Sequence, residues 1–209
     1  MSDILDQINA VARTVDTKRI PAGEGRTIVL SRTYDAKISD VWDALTTTDR
    51  ISRWLLPVEG DLRLGGTYQL KDNARGEILV CEPPHLLKAT WIYGENVTDK
   101  DVSEVEVRLT AIDGSTELVL EHAAVIPDDM WEQYGPGAGG VGWDLALVAL
   151  GWHLGGLEFD VETWESSADA KRAATRSSQA WGEVSIAAGE PADAVAKQVA
   201  GTTEFYTSG

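Results

Sequence analysis

The sequence predicts an α+β protein in which an antiparallel sheet packs against one long helix. Residues 58–126 contain short alternating runs separated by turn signals, of which Asp113-Gly114 is the strongest hairpin signal. A second pattern is an apolar stripe over 141–157, at spacings of four and three residues, formed by Trp143, Leu147, Leu150, Leu154 and Leu157. Because each element has one apolar face, we expect the sheet and the helix to bury those faces against each other.

Elements before this region are predicted in chain order. Apolar residues at spacings of three and four over 4–15 predict an amphipathic helix, which the Gly- and Pro-containing segment 19–25 ends. Residues 26–34 predict a strand. Ser39 is a suitable N-cap for a helix over 38–47, and a short helix over 49–56 ends before Pro57.

The remaining chain predicts strands and then helices. We place six strands near 58–64, 67–71, 75–82, 85–93, 102–112 and 116–126. Residues 127–140 are predicted as an irregular loop, and two further helices over 166–188 and 191–206 follow the long one. Gly135 to Gly140 match the G-x-G-x-x-G pattern, but no strand leads directly into them, so we interpret them as a flexible loop that could gate a cavity.

Charge and composition exclude several classes of partner. The 209 residues carry 34 acidic and 18 basic side chains, giving a net charge of -16 that repels phosphate backbones and anionic lipid. We therefore expect neither nucleic acid nor a membrane as a partner. The N-terminus lacks a signal-peptide pattern, which favours a cytoplasmic location. The three histidines, His85, His122 and His153, lack zinc-site spacing, so neither a metal nor a cofactor is predicted.

Several motifs together resemble one family. The segments Arg32-Thr33-Tyr34-Asp35-Ala36, Val41-Trp42-Asp43-Ala44-Leu45-Thr46, Gly60-Asp61-Leu62-Arg63-Leu64-Gly65-Gly66, Cys81-Glu82-Pro83-Pro84, Thr90-Trp91 and Gly142-Trp143 are similar to the START-like (SRPBCC, helix-grip) superfamily. The branch they resemble is named after the activator of the heat-shock-protein-90 ATPase. The resemblance implies a curved antiparallel sheet gripping the long C-terminal helix, with a cavity between them.

The resemblance also divides the chain. It covers a START-like domain over 26–158, and the rest of the chain is predicted from its own pattern as an N-terminal helical arm over 1–25 and a C-terminal helical extension over 159–209 packed on the same domain. The extensions exceed the minimal domain of the family. They could cap the cavity, enlarge the core or form the interface of a homodimer.

Candidate ligand-binding residues are those expected to face the cavity. Alternation along the strands puts Trp91 and Tyr93 on the face of Leu87 and Ala89. His122 follows Leu120 at period two, and it could be a satisfied core residue, a polar anchor or a catalytic base. The predicted wall consists of Tyr68, Trp91, Tyr93, Leu120, His122, Trp143, Leu147 and Leu150. No catalytic residue is assigned.

The predicted function is binding of a small hydrophobic or amphipathic molecule in this cavity. Concave apolar sites with a few polar groups are typical of small-molecule binding. One alternative, implied only by the name of the branch, is an accessory role for a chaperone ATPase. The other is a cyclase- or hydrolase-type enzyme that uses the same cavity and His122. The sequence favours a protein that is not an enzyme, since it contains no nucleophile elbow or phosphate-binding loop.

Overall fold

The computed structural model describes residues 3–94 and 97–208, and it contains one eight-stranded antiparallel sheet. The strands are β1 (Ala12–Ile20), β2 (Gly23–Tyr34), β3 (Val58–Gly60), β4 (Thr67–Leu70), β5 (Arg75–Glu82), β6 (Leu86–Trp91), β7 (Ser103–Ile112) and β8 (Ser115–Ala124). Their order in the sheet is β1-β2-β8-β7-β6-β5-β4-β3. The six strands predicted after residue 58 are all present: β5 has the predicted bounds, β8 is shifted toward the N-terminus, and the other four are shorter than predicted.

The described structure also contains eight α-helices and one 3-10 helix (Asp99–Asp101). The α-helices are α1 (Ile4–Asn9), α2 (Ile38–Thr46), α3 (Thr48–Ile51), α4 (Asp128–Tyr134), α5 (Gly137–Leu154), α6 (Val161–Glu165), α7 (Ala168–Ala187) and α8 (Ala192–Thr207). None of the helices described is long and apolar enough to cross a lipid bilayer.

Helix α5 packs against the concave face of the sheet. Leu30 of β2, Leu118 of β8 and Leu150 of α5 are fully or almost fully buried in the same core. The opposite side of α5 is covered by α7 and the N-terminal segment, so this helix is apolar on nearly all sides. The predicted α+β class and the curved sheet around a long helix are therefore confirmed.

The N-terminal helix prediction is wrong beyond residue 9. Helix α1 ends at Asn9, and residues 12–20 form β1, which pairs antiparallel with β2. The stretch Thr14-Val15-Asp16-Thr17 contains three β-branched residues, which favour a strand once β2 offers a partner. Residues 1–2 of the predicted arm lie outside the described residues.

The loop prediction over 127–140 is also wrong. This segment contains α4, and α5 already begins at Gly137. A Cβ atom on Gly140 would lie 2.3 Å from the Trp181 ring, and one on Gly137 would lie 2.9 Å from Thr202. The glycines thus allow α7 and α8 to approach α5 closely, and they do not form a flexible loop at the cavity. Near residue 50, α3 ends at Ile51 and not at 56 as predicted.

Candidate ligand-binding cavity

A cavity of about 110 Å³ lies between the sheet, α5 and the segment of α2 and α3. Apolar side chains form its wall. Five of the predicted residues line it: Tyr68, Trp91, Leu120, Trp143 and Leu147. The rest of the wall was not predicted from the sequence and consists of Leu45, Ile51, Trp54, Leu55, Val58, Leu62, Leu70, Ile78, Leu87, Ala89, Val105, Val107, Leu118 and Ala146.

Three predicted residues do not line the cavity. Tyr93 is 68% exposed, because β6 ends at Trp91 and the strand alternation does not continue to residue 93. Leu150 is fully buried, three residues beyond Leu147 on α5, in a part of the core that is filled. His122 lies directly behind the wall, in contact with Trp143.

Aromatic rings form a continuous part of the wall. The ring centroids of Tyr68 and Trp91 are 6.3 Å apart, and those of Trp91 and Trp143 are 4.9 Å apart. These distances and the tilted planes are typical of favourable aromatic pairs. Strands β4 and β6 and helix α5 thus each contribute one ring.

The polar atoms of Tyr68 and of Trp54, another aromatic residue of the wall, are bound to the protein. The Tyr68 hydroxyl donates to the Thr90 carbonyl oxygen at 2.7 Å, and burial raises the pKa of Tyr68. The indole N–H of Trp54 donates to the Ala44 carbonyl oxygen at 3.0 Å. The aromatic rings therefore contribute carbon atoms to the wall, while these polar atoms are satisfied elsewhere.

Behind the wall, His122 belongs to a hydrogen-bonded chain. The indole N–H of Trp143 donates to Nδ1 of His122 at 3.0 Å. Because Nδ1 accepts, this network assigns the proton of the neutral ring to Nε2, which lies 2.9 Å from the Ser103 Oγ. The Ser103 hydroxyl in turn donates to the Trp91 carbonyl oxygen at 2.6 Å. Burial lowers the pKa of His122 to about 4, so the neutral ring is the form present at pH 7.

The directions of these hydrogen bonds bear on catalysis. A histidine that activates a serine must accept the hydroxyl proton on the facing nitrogen. Here Nε2 of His122 already carries a proton, and the Ser103 hydroxyl points to a backbone carbonyl. This arrangement does not activate Ser103. Both ring nitrogens of His122 are also occupied by protein partners. Among the described residues, no three His, Cys, Asp or Glu side chains cluster as metal ligands do.

A buried ion pair lies on the other side of α5 and was not predicted from the sequence. Asp144 is fully buried, and Arg13 of β1 contacts it with two nitrogens at 2.8 and 2.9 Å. The Ser177 hydroxyl and the Trp181 indole N–H, both on α7, donate to the same carboxylate at 2.5 and 3.0 Å. Burial raises the pKa of Asp144, and the Arg13 charge opposes that effect. A single acidic residue inside an apolar helix is the signal that could have identified this cluster.

An antiparallel sheet curved around a long helix, with an apolar cavity between them, defines the START-like, or helix-grip, class of proteins. Within this class, the chain belongs to the family described as "Activator of Hsp90 ATPase homolog 1-like protein", whose profile matches residues 35–155. The predicted family is thereby confirmed. Every residue of the cavity wall lies inside the matched range.

Solved structures agree with this assignment. The chain is 36% identical to CalU16 from Micromonospora echinospora, whose crystal structure gives a TM-score of 0.68 over 84% of this chain and 98% of CalU16. The solution NMR structure of CalU16 gives 0.72, at 36% identity, over 87% and 97% of the two chains. Protein MLL2253 from Mesorhizobium loti is 25% identical, with a TM-score of 0.54 over 64% and 100%. No curated protein matches the chain.

Proposed function

We propose that this protein binds a small, uncharged apolar molecule in the cavity between the sheet and α5. The observation that carries the proposal is the orientation of the aromatic side chains. Tyr68, Trp54 and Trp143 contribute their rings to the cavity wall, while their polar atoms bond to other protein groups. A ligand group that enters this space meets carbon atoms. An ionised group would lose its hydration there without gaining a partner.

The volume of the cavity limits the ligand further. About 110 Å³ is less than the roughly 150 Å³ of a dry protein cavity that binds benzene. Ordinary ligand pockets enclose roughly 300–1,000 Å³. A single aromatic ring is therefore near the upper limit for the cavity in this conformation. A larger or amphipathic ligand requires the wall to move.

The experiment compares two ligands that differ only in charge. We expect fluorobenzene to bind with one site per chain in ¹⁹F NMR titrations, and 4-fluorobenzoate to bind at least about tenfold more weakly, because its carboxylate would be desolvated. Ala146→Leu adds carbon atoms to the wall and should abolish fluorobenzene binding without loss of stability. The matched control Ala187→Leu, at an exposed position, should bind as the wild type does.

Two results would refute the proposal. One is equal affinity for the two ligands, and the other is unchanged binding of fluorobenzene by Ala146→Leu. The alternative of an accessory role for a chaperone ATPase has only the printed family name behind it. It would gain support from a saturable rise in the turnover of such an ATPase that Ala146→Leu leaves unaffected. The enzyme alternative is disfavoured by the protonated Nε2 that His122 presents to Ser103.

A further inference from the structure

His122 on β8 contacts two tryptophans of the cavity wall. The centroid of its ring lies 5.9 Å from that of Trp143 and 6.3 Å from that of Trp91, and both pairs are T-shaped. A Cβ atom on Gly139, one turn of α5 before Trp143, would lie 4.0 Å from Nδ1 of His122. His122 therefore packs against one face of α5 and beside the end of β6.

The hydrogen bond made by Trp143 differs from those of two other polar atoms in the wall. The Tyr68 hydroxyl and the Trp54 indole N–H donate to backbone carbonyl oxygens, which every residue type provides. The Trp143 indole N–H donates to a side chain, at Nδ1 of His122. Of these three wall residues, Trp143 is thus the one whose hydrogen-bond partner a substitution can remove.

This hydrogen bond opposes rotation of the Trp143 ring toward the cavity. A ring rotated in that direction would turn its N–H away from His122 and toward carbon atoms, since the cavity wall is apolar. A donor left without an acceptor in such surroundings is strongly disfavoured. The bond between Nε2 of His122 and Ser103 keeps the imidazole from turning with the indole, because the Ser103 hydroxyl is itself bound to the Trp91 carbonyl oxygen.

We propose that His122 is a positioning residue that limits the ligand to one aromatic ring by fixing the orientation of Trp143. The inference rests on the proposed function, since a limit on size matters only if a ligand enters. A molecule of two fused rings requires the Trp143 ring to turn, and that turn breaks the hydrogen bond to Nδ1. His122 thus influences the choice of ligand through Trp143, although it does not line the cavity.

The experiment measures how strongly the protein prefers one ring over two. The probes are fluorobenzene and 1-fluoronaphthalene, and ¹⁹F NMR titrations give the ratio of their dissociation constants. We expect His122→Leu to lower the preference for fluorobenzene about tenfold, because Trp143 then has no hydrogen bond to lose when it turns. His122→Gln retains an acceptor oxygen and an N–H donor, so it should keep the preference within about twofold.

Two further variants separate positioning from a general loss of stability. Ser103→Ala frees the imidazole to turn together with Trp143, and it should lower the preference about fivefold even if His122→Leu fails to fold. The control Leu150→Ala removes carbon atoms from the filled core of the same helix, away from the cavity. It should be less stable than the wild type and keep the wild-type preference.

A spectroscopic measurement tests the hydrogen bond without a ligand. In the ¹⁵N-labelled wild type, the neutral His122 ring should carry its proton on Nε2, as the bond from Trp143 requires. The indole N–H resonance of Trp143 should move upfield in His122→Leu, where the acceptor is absent, and stay near its wild-type position in His122→Gln. A proton on Nδ1, or an unchanged resonance in His122→Leu, would overturn the inference.

The binding results distinguish this inference from the proposed function. If the wild type binds fluorobenzene and neither His122→Leu nor Ser103→Ala changes the preference, the positioning role is refuted and the proposed function stands. If the wild type binds neither probe, the proposed function is refuted and the limit on ligand size with it, even where the spectra show the hydrogen bond.

Discussion

Helix α5 has two sides that are packed in different ways. On one side, Trp143, Ala146 and Leu147 face a cavity whose wall is apolar. On the other side, Asp144 holds a buried arginine, a serine and a tryptophan in a filled, hydrogen-bonded cluster. Trp143 and Asp144 are adjacent in sequence, yet Trp143 borders the cavity and Asp144 belongs to the hydrogen-bonded cluster. The comparison indicates that α5 is held in place from the side of α7, which leaves its other side free to border a void.

The largest expected effect concerns the buried ion pair. Asp144→Ala should lower the free energy of unfolding by about 3–5 kcal/mol, because the Arg13 charge is left buried without its partner. Urea denaturation measures this change. The matched control is Asp169→Ala, which removes an exposed pair with Arg172 and should cost less than about 1 kcal/mol. If Asp144→Ala lowers the free energy of unfolding by less than about 1 kcal/mol, this side of α5 does not anchor the helix.

A second prediction uses pH to test the polar chain behind the cavity. The folded-state pKa of His122 is about 4, below the ordinary 6.5, so its contribution to stability is complete above pH 6.5 and is lost as the pH falls toward 4. Between pH 7 and pH 5, the wild type should lose about 2 kcal/mol more unfolding free energy than His122→Gln. The exposed control His85→Gln should follow the wild type. Equal losses in all three proteins would show that His122 is not held neutral.

The smallest expected effect is a difference in stability between Leu→Ala variants at two buried positions on α5. Leu147 lines the cavity and Leu150 does not, although both are almost fully buried. Leu150→Ala should lower the free energy of unfolding by about 4 kcal/mol, within the range for leucines in filled cores. Leu147→Ala should lose about 1 kcal/mol less, since a side chain beside a void makes fewer packing contacts. Thermal and urea unfolding of the two variants measure the difference, and equal losses would show that the cavity is filled in solution.

The sequence predicts the fold well where the pattern is local. The stripe from Trp143 to Leu154 and the Asp113-Gly114 turn each identify an element without reference to the rest of the chain. The stretch 12–20 fits either a helix or a strand, and only pairing with β2 decides between them. The role of the glycines after 135 also depends on distant residues, since their partners on α7 and α8 are about 40–65 residues away in the sequence.

The candidate site is predictable to a similar degree. Strand alternation and the helix stripe identify the face of Tyr68, Trp91, Leu120 and Leu147, which the structure brings to one cavity. Alternation does not reveal where a strand ends, and Tyr93 was therefore assigned wrongly to that face. The Asp144 cluster joins residues 131 and 33 positions apart, a relation that no local pattern contains.

The way in which the cavity wall satisfies its polar atoms affects how this scaffold can change during evolution. The Tyr68 hydroxyl bonds to the backbone oxygen of Thr90 and not to a side chain. Replacing a neighbouring apolar residue of the wall therefore does not remove the hydrogen-bond partner of this hydroxyl. Wall positions such as Ala89 and Ala146 can therefore be enlarged or reduced one at a time. The Arg13–Asp144 pair permits no such stepwise exchange, since the loss of either partner leaves a buried charge. The shape of the cavity can thus diversify while the attachment of the C-terminal helices is retained.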